Sequence, residues 1–277
     1  MRVKRLVCLL ALWVLSTCAS ANATDRVIAH PTAGLPDARN QVTPADRRNR
    51  DALAGAAGAS RQKPAALTVF VAFTGIGLAG ALFSYRRAAP RAYLASKAVA
   101  SLAFVGTALA AGATGSSWTR LALAALLLSA AGDIALSLPL PRSFLAGLAC
   151  FAAAHACYSV AFLLHGAGTG PAILVSGGLF GLAGLAAWHA LRPRLPEGLR
   201  LPVATYVLVL VTMSASGIAA GATSSSWSLA AGVTLVAASD LLVARERFSR
   251  PSFANKLVGL PAYYLGQTLI AVSLTGA

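Results

Sequence analysis

Residues 65–84 read Ala65-Ala-Leu-Thr-Val-Phe-Val-Ala-Phe-Thr-Gly-Ile-Gly-Leu-Ala-Gly-Ala-Leu-Phe-Ser84, without one charged side chain, and Arg86 and Arg87 close the run. A helix of that length reaches across a hydrocarbon core of ~30 Å. The same pattern recurs down the chain, at 93–112, 118–139, 143–165, 170–190, 201–221, 227–245 and 257–276. Backbone groups in lipid must be satisfied within their own segment or in a closed barrel, and runs of this length select helices. The fold class expected is therefore all-α, a polytopic membrane helix bundle of about eight transmembrane helices.

Composition agrees. Hydrophobic residues make up 57% of the 277 and charged residues only 11%, with a mean hydropathy of +0.70. A soluble domain could not cover that much apolar surface. The formal charge of +15 would by itself suggest nucleic acid. Here the basic residues sit in short breaks between apolar runs, a pattern that orients a protein in a bilayer, so no nucleic-acid partner is expected.

Working back from residue 65, residues 24–64 form a polar leader rich in Pro, Asp and Arg, expected to be disordered. Before it, Met1 to Arg5 is basic, Leu6 to Leu15 is apolar, and Ala21-Asn22-Ala23 has the small-x-small form of a cleavage site. Residues 1–23 read as a signal peptide, with an uncleaved anchor as the rival. The bundle then occupies residues 65–277. Cys8 and Cys18 belong to the signal, whereas Cys150 and Cys157 share one helix at a spacing too wide for a disulfide.

The loops alternate in charge. The first, third, fifth and seventh carry Arg86, Arg87 and Arg91; Arg142; Arg192, Arg194 and Arg200; and Arg247, Arg250 and Lys256. The loops around Gly115, Gly168 and Ser224 carry no charge. By the positive-inside rule the charged loops are cytoplasmic and both ends of the bundle lie outside, as in an integral protein of a bacterial inner membrane.

The bundle also repeats itself. Gly112-Ala-Thr-Gly-Ser-Ser-Trp118 returns as Gly221-Ala-Thr-Ser-Ser-Ser-Trp227, and Ala131-Gly-Asp133 as Ala238-Ser-Asp240. Gly147, Leu148, Phe151 and His155 match Gly259, Leu260, Tyr263 and Gln267, while Lys97 falls opposite Tyr206. Four helices per unit is an even number, so the expected arrangement is two parallel four-helix pseudo-repeats.

An ionisable side chain at the centre of a bilayer costs ~2.5–3.5 kcal/mol on insertion scales, so each one present needs a reason. Asp133, His155 and Asp240 stand out. Asp133 lies six residues before Pro139, ~9 Å inside the cytoplasmic end, and Asp240 sits at matching depth. Tyr206, Tyr264 and Gln267 enter from the same side. Gly147, Phe151, His155, Tyr158 and Phe162 share one helical face. One polar pocket with a carboxylate from each half is the expected arrangement. Plainer roles stand beside it. The aspartates could pair with Lys97 or Arg245 to lock helices, Lys97 could snorkel to the headgroups, and the tyrosines could mark the interface. His165 and His189 lie far from His155, so no metal site is expected, and no cofactor-binding motif is present.

Several stretches together resemble the YhhN family, the membrane lysoplasmalogenases. They are Leu126-Leu-Leu-Ser-Ala-Ala-Gly-Asp133; Phe144-Leu-Ala-Gly-Leu-Ala-Cys-Phe151 with His155 and Tyr158; Tyr206 to Met213; Ala237-Ala-Ser239-Asp240; and Tyr264-Leu-Gly-Gln267. The resemblance spans roughly residues 65–276, without the leader, and Ala98 follows Lys97 where the family pattern has proline. It implies hydrolysis of the vinyl-ether bond of a lysophospholipid to a fatty aldehyde and a glycerophospho head group. It further implies Asp133, Asp240 and His155 as catalytic residues and Lys97, Tyr158, Tyr206, Met213, Ser239, Tyr264 and Gln267 as lipid-binding ones. Enol-ether hydrolysis needs a general acid, a negative charge and a positioned water. Two neighbouring aspartates, one held protonated by burial and by the other, would suit it as an acid/base pair. The competing reading is an ion-coupled secondary transporter or lipid carrier, since repeats with intramembrane Asp and His also suit transport. Its mark would be broken helices, of which Pro261 is the only hint.

Overall fold

A computed structural model describes residues 44–140, 142–167 and 170–275, with side chains from residue 65 onward. The expected signal peptide (1–23) and the start of the leader (24–43) lie outside the described residues. The α-helices are α1 (Pro44–Arg86), α2 (Pro90–Ala111), α3 (Ser117–Ser137), α4 (Ser143–Phe162), α5 (Pro171–Leu191), α6 (Glu197–Thr223), α7 (Trp227–Phe248) and α8 (Phe253–Val272). A π-helical turn, Leu163–Ala167, follows α4, a 3-10 turn, Arg192–Arg194, follows α5, and no strand occurs among the described residues.

Helix α1 begins at Pro44, within the stretch read as the leader. Pro44 sits at the helix start, where its missing N–H costs nothing, and Ala and Arg are frequent in the residues that follow.

Seven helical stretches are long and apolar enough to cross a membrane: Ala65–Arg86, Pro90–Ala111, Ser117–Ser137, Ser143–Ala167, Pro171–Arg194, Glu197–Thr223 and Trp227–Phe248. The chain is a polytopic integral membrane protein. Its outer face fits that setting, since Leu174, Val175 and Leu182 of α5 are each at least 70% exposed. Helix α8, where the eighth span was expected, is not among the seven. It buries Asn255, Gln267 and Thr268 in the bundle instead.

The helix ends follow from local chemistry. Gly112 closes α2 with φ +97, a left-handed conformation that glycine adopts without strain. Ser116 opens α3 through a reciprocal capping box with Thr119, and Ser226 and Ser252 cap α7 and α8. The repeated Gly-Ala-Thr-x-Ser-Ser-Trp motif is thus a stop signal and a start signal in series. Helix α6 starts at Glu197, earlier than expected, because Pro202 falls within its first turns and Pro is tolerated near a helix start. Helix α8 runs unbroken through Pro261, so the helix break expected of a carrier is absent there.

Within residues 69–277, α2, α3, α4, α6, α7 and α8 pack in sequence, and α8 returns to α2, closing a ring. Helix α5 packs outside the ring on α6, and α1 packs on α2 where Gly77 and Gly80 admit Ala100 and Ser96. Small residues allow such approach where lipid removes any hydrophobic drive between helices. A reciprocal close crossing joins α7 to α8. A Cβ on Gly232 would stand 2.8 Å from the Gly266 carbonyl, and one on Gly266 would stand 2.8 Å from the Gly232 carbonyl.

Replacing Gly266 by Leu is therefore expected to force α7 from α8 and lower stability by about 3 kcal/mol or more. Gly178→Leu, where a Cβ meets nothing within 4 Å, should be near neutral. Thermal unfolding in detergent, followed by size-exclusion chromatography, checks both.

Candidate active site

Each of the six ring helices contributes a polar side chain to the interior. On one side, Lys97 (α2) places its Nζ 2.8 Å from Asp133 Oδ1 (α3), with the two side chains only 5% and 3% exposed. Ser101 Oγ donates to Asp133 Oδ2 at 2.6 Å, and the Tyr264 hydroxyl (α8) reaches the same oxygen at 3.3 Å. Lys97 Nζ also donates to the Asp133 backbone carbonyl at 3.3 Å. Both oxygens of Asp133 are thereby engaged, as a buried carboxylate requires.

Across the ring, His155 (α4) places Nε2 2.9 Å from Asp240 Oδ2 (α7), and the Tyr206 hydroxyl (α6) donates to the same oxygen at 2.9 Å. The His155 nitrogen and the Tyr206 hydroxyl are themselves 3.0 Å apart. No hydrogen bond from a described residue reaches Asp240 Oδ1, and His155 Nδ1 is buried without a partner. The two aspartates thus differ in kind: Asp133 is saturated by its neighbours, whereas Asp240 keeps an oxygen free.

Both carboxylates line one cavity of about 330 Å³. Its walls include Lys97, Tyr206, Ser239 and Tyr263, with Phe180, Gly184, Val207 and Val211 forming an apolar side between α5 and α6. Thr234, Ala238 and Leu241 of α7 line it and are exposed on the outer, apolar face, so the cavity is open sideways between α5 and α7. At the end bearing the charged loops it is lined by Glu246, Arg247, Asn255 and Lys256.

The expected site residues sort by distance from this space. Lys97, Asp133, Tyr206, Ser239 and Asp240 are on its wall. His155 and Tyr264 stand behind the two carboxylates. Tyr158 and Gln267 form a separate buried chain, in which the Tyr158 hydroxyl donates to Gln267 Oε1 at 2.7 Å and Gln267 Nε2 donates to Ser129 Oγ at 3.2 Å. Met213 is fully buried and does not line the cavity. Ser239 Oγ is spent on the Gly259 carbonyl at 2.9 Å. Lys97 does not snorkel, being 4% exposed and ion-paired. No hydrogen bond joins the two carboxylates among the described residues, so each is balanced by its own partners rather than by the other. No cluster of three metal-ligating side chains occurs among the described residues.

Sequence reasoning missed Ser101, Ser129 and Tyr263. Tyr263 lines the cavity, with its hydroxyl buried close to the Asp133 carboxylate. Its match to Phe151 in the repeat was a signal for a position facing the interior.

A ring of membrane helices around two carboxylates that line one cavity defines a polytopic membrane protein with a polar interior. The sequence profile of the YhhN family matches residues 92–274, and the chain belongs to that family. It is 38% identical over 151 residues to lysoplasmalogenase TMEM86B of Sus scrofa, covering 54% of this chain and 62% of that protein. With the Homo sapiens protein of the same name it shares 34% over 156 residues, 56% of this chain and 64% of the relative. The chain spans less than two thirds of the length of these relatives. No solved structure matches it.

Lys97→Met should leave the Asp133 carboxylate buried and unpaired, lowering stability by roughly 3–5 kcal/mol. Adding Asp133→Leu should recover most of that loss, because the pair is then replaced by apolar groups. A double-mutant cycle of unfolding free energies checks the coupling.

Proposed function

We propose that this protein hydrolyses the vinyl-ether bond of a lysophospholipid, releasing a fatty aldehyde and a glycerophospho head group. The observation that carries this reading is the placement of Asp133 and Asp240 on the wall of one cavity open towards the apolar outer surface. The relatives named lysoplasmalogenase point the same way. An alkenyl chain can lie along the apolar side between α5 and α6 and leave between α5 and α7, while the ether reaches the carboxylates.

The reaction begins with proton transfer to the vinyl carbon remote from oxygen. Asp240 is suited to supply that proton from Oδ1, because its hydrogen bonds from His155 and Tyr206 both fall on Oδ2 and survive the transfer. The carboxylate left behind offsets the charge of the oxocarbenium-like cation and then takes a proton from the attacking water. The resulting hemiacetal collapses to aldehyde and a glycerol hydroxyl. His155, bonded through Nε2, holds the Asp240 carboxylate in place. Asp133, neutralised by Lys97, completes the acid/base set as the fixed member and holds the cavity's shape.

The same reading takes α8 as an eighth span and the halves 65–165 and 170–276 as parallel repeats, in an inner membrane with the charged loops cytoplasmic. Reciprocal contacts support the repeat. Helix α4 of the first half packs on α6 of the second, and α8 of the second packs on α2 of the first. The residue before each aspartate meets the matching glycine of the next helix. Ser239 bonds the Gly259 carbonyl, and a Cβ on Gly147 would stand 3.3 Å from the Gly132 carbonyl.

Purified protein in detergent should release aldehyde from a lysoplasmalogen, and Asp240→Asn should lower kcat by about 10³-fold. Wild-type turnover in a folded Asp240→Asn variant would remove Asp240 from the chemistry. No release by folded wild-type protein across several head groups would overturn the hydrolase reading in favour of a carrier.

A further inference from the structure

The geometry points to Arg247 and Lys256 as the subsite that holds the substrate's phosphate. This rests on the hydrolase reading above and adds to it the part of the molecule that selects the lipid class. Both side chains line the cavity that contains the two aspartates, one from the last turn of α7 and the other from the first turn of α8.

Neither cation forms a salt bridge with any described residue. The acid closest in sequence, Glu246, is occupied: it accepts from the Ser252 backbone N–H at 2.8 Å and from Asn255 Nδ2 at 2.9 Å, and the Tyr85 hydroxyl stands at 3.5 Å. Arg247 and Lys256 instead lie over aromatic rings, Arg247 at 4.6 Å from the Phe144 centroid and Lys256 at 5.7 Å from that of Tyr85. Such contacts fix a cation in position without neutralising it. Glu246 acts on Lys256 only through space, short of a salt bridge, and two positioned cations of this kind suit a phosphodiester, which accepts charge-assisted hydrogen bonds from both.

The spacing fits the molecule. Asp240 and Arg247 stand seven residues apart on one helix, ~10 Å along its axis. In the lipid, the three glycerol carbons separate the ether oxygen from the phosphate ester, and the long Arg and Lys side chains cover the remainder by reaching back. A lipid bound by its phosphate at this end would present its ether at the depth of the carboxylates. Its alkenyl chain would leave sideways between α5 and α7.

The test compares two substrates with the purified full-length protein, an alkenyl-glycerophosphoethanolamine and the matching alkenylglycerol that lacks phosphate. In wild type, kcat/KM should favour the phosphate-bearing substrate. Arg247→Gln and Lys256→Gln should each reduce that preference roughly tenfold, mainly through KM, and Lys256→Arg should retain it. Arg192→Gln, exposed and outside the cavity lining, serves as the control and should leave the preference as it is. Arg247 is exposed, so its variant should fold and decides the matter even if Lys256→Gln does not. An undiminished preference in Arg247→Gln, or an equal loss on both substrates, would overturn the assignment. Wild-type inactivity on both substrates would instead sink the hydrolase reading, and this inference with it.

Discussion

An ionised carboxylate inside an apolar helix bundle cannot stand alone, and this constraint organises the interior. Asp133 is 2% exposed and draws in a lysine, a serine and a tyrosine from two other helices. Such a network adds little net stability when complete, because desolvation offsets most of the attraction. Its force lies in what happens when a partner moves away and a charge is left bare. Helices α2, α3 and α8 are thereby held in one register, as are α4, α6 and α7 by the bonds around Asp240. The small residues at the helix crossings serve the same end, since they let the backbones come close enough for short polar side chains to meet.

The internal similarity of the sequence makes the difference between the aspartates informative. Lys97 and Tyr206 occupy matching places, yet one supplies a full charge and the other only a hydroxyl. Asp133 therefore faces a permanent cation, whereas Asp240 faces a histidine and a phenol. That exchange, together with Ser101 and Tyr264 on one side and His155 on the other, separates a carboxylate with both oxygens bonded from one that retains an open oxygen.

Much of this was legible in the chain. Apolar run length placed α2 to α8 to within about four residues at each end, because a bilayer demands a fixed span. The cost of burying charge singled out Asp133, His155 and Asp240, all of which the structure gathers into the ring. Positions that failed did so for identifiable reasons. Lys97 looked free to snorkel because its distance from the helix start says nothing about which way it faces. Ser101 and Ser129 resemble ordinary small residues of a packed helix, and only the neighbouring helix shows what their hydroxyls bond. Met213 was carried by a motif, and a motif does not distinguish wall from core.

The position of the cavity joins these strands. It lies at the end of the bundle where the basic loops gather, so its contents meet cations at one end and lipid at the side. A wholly enclosed site would have to extract the entire lipid from the bilayer. In the proposed reaction, the apolar side formed by α5 and α6 would let an alkyl chain remain in a hydrocarbon environment while only the polar portion is desolvated. The hydrophobic term would then be nearly the same before and after binding, so recognition would rest on the polar end. Discrimination between lipids would come from the few charged and hydrogen-bonding groups on the wall, among them Asp240, Arg247 and Lys256.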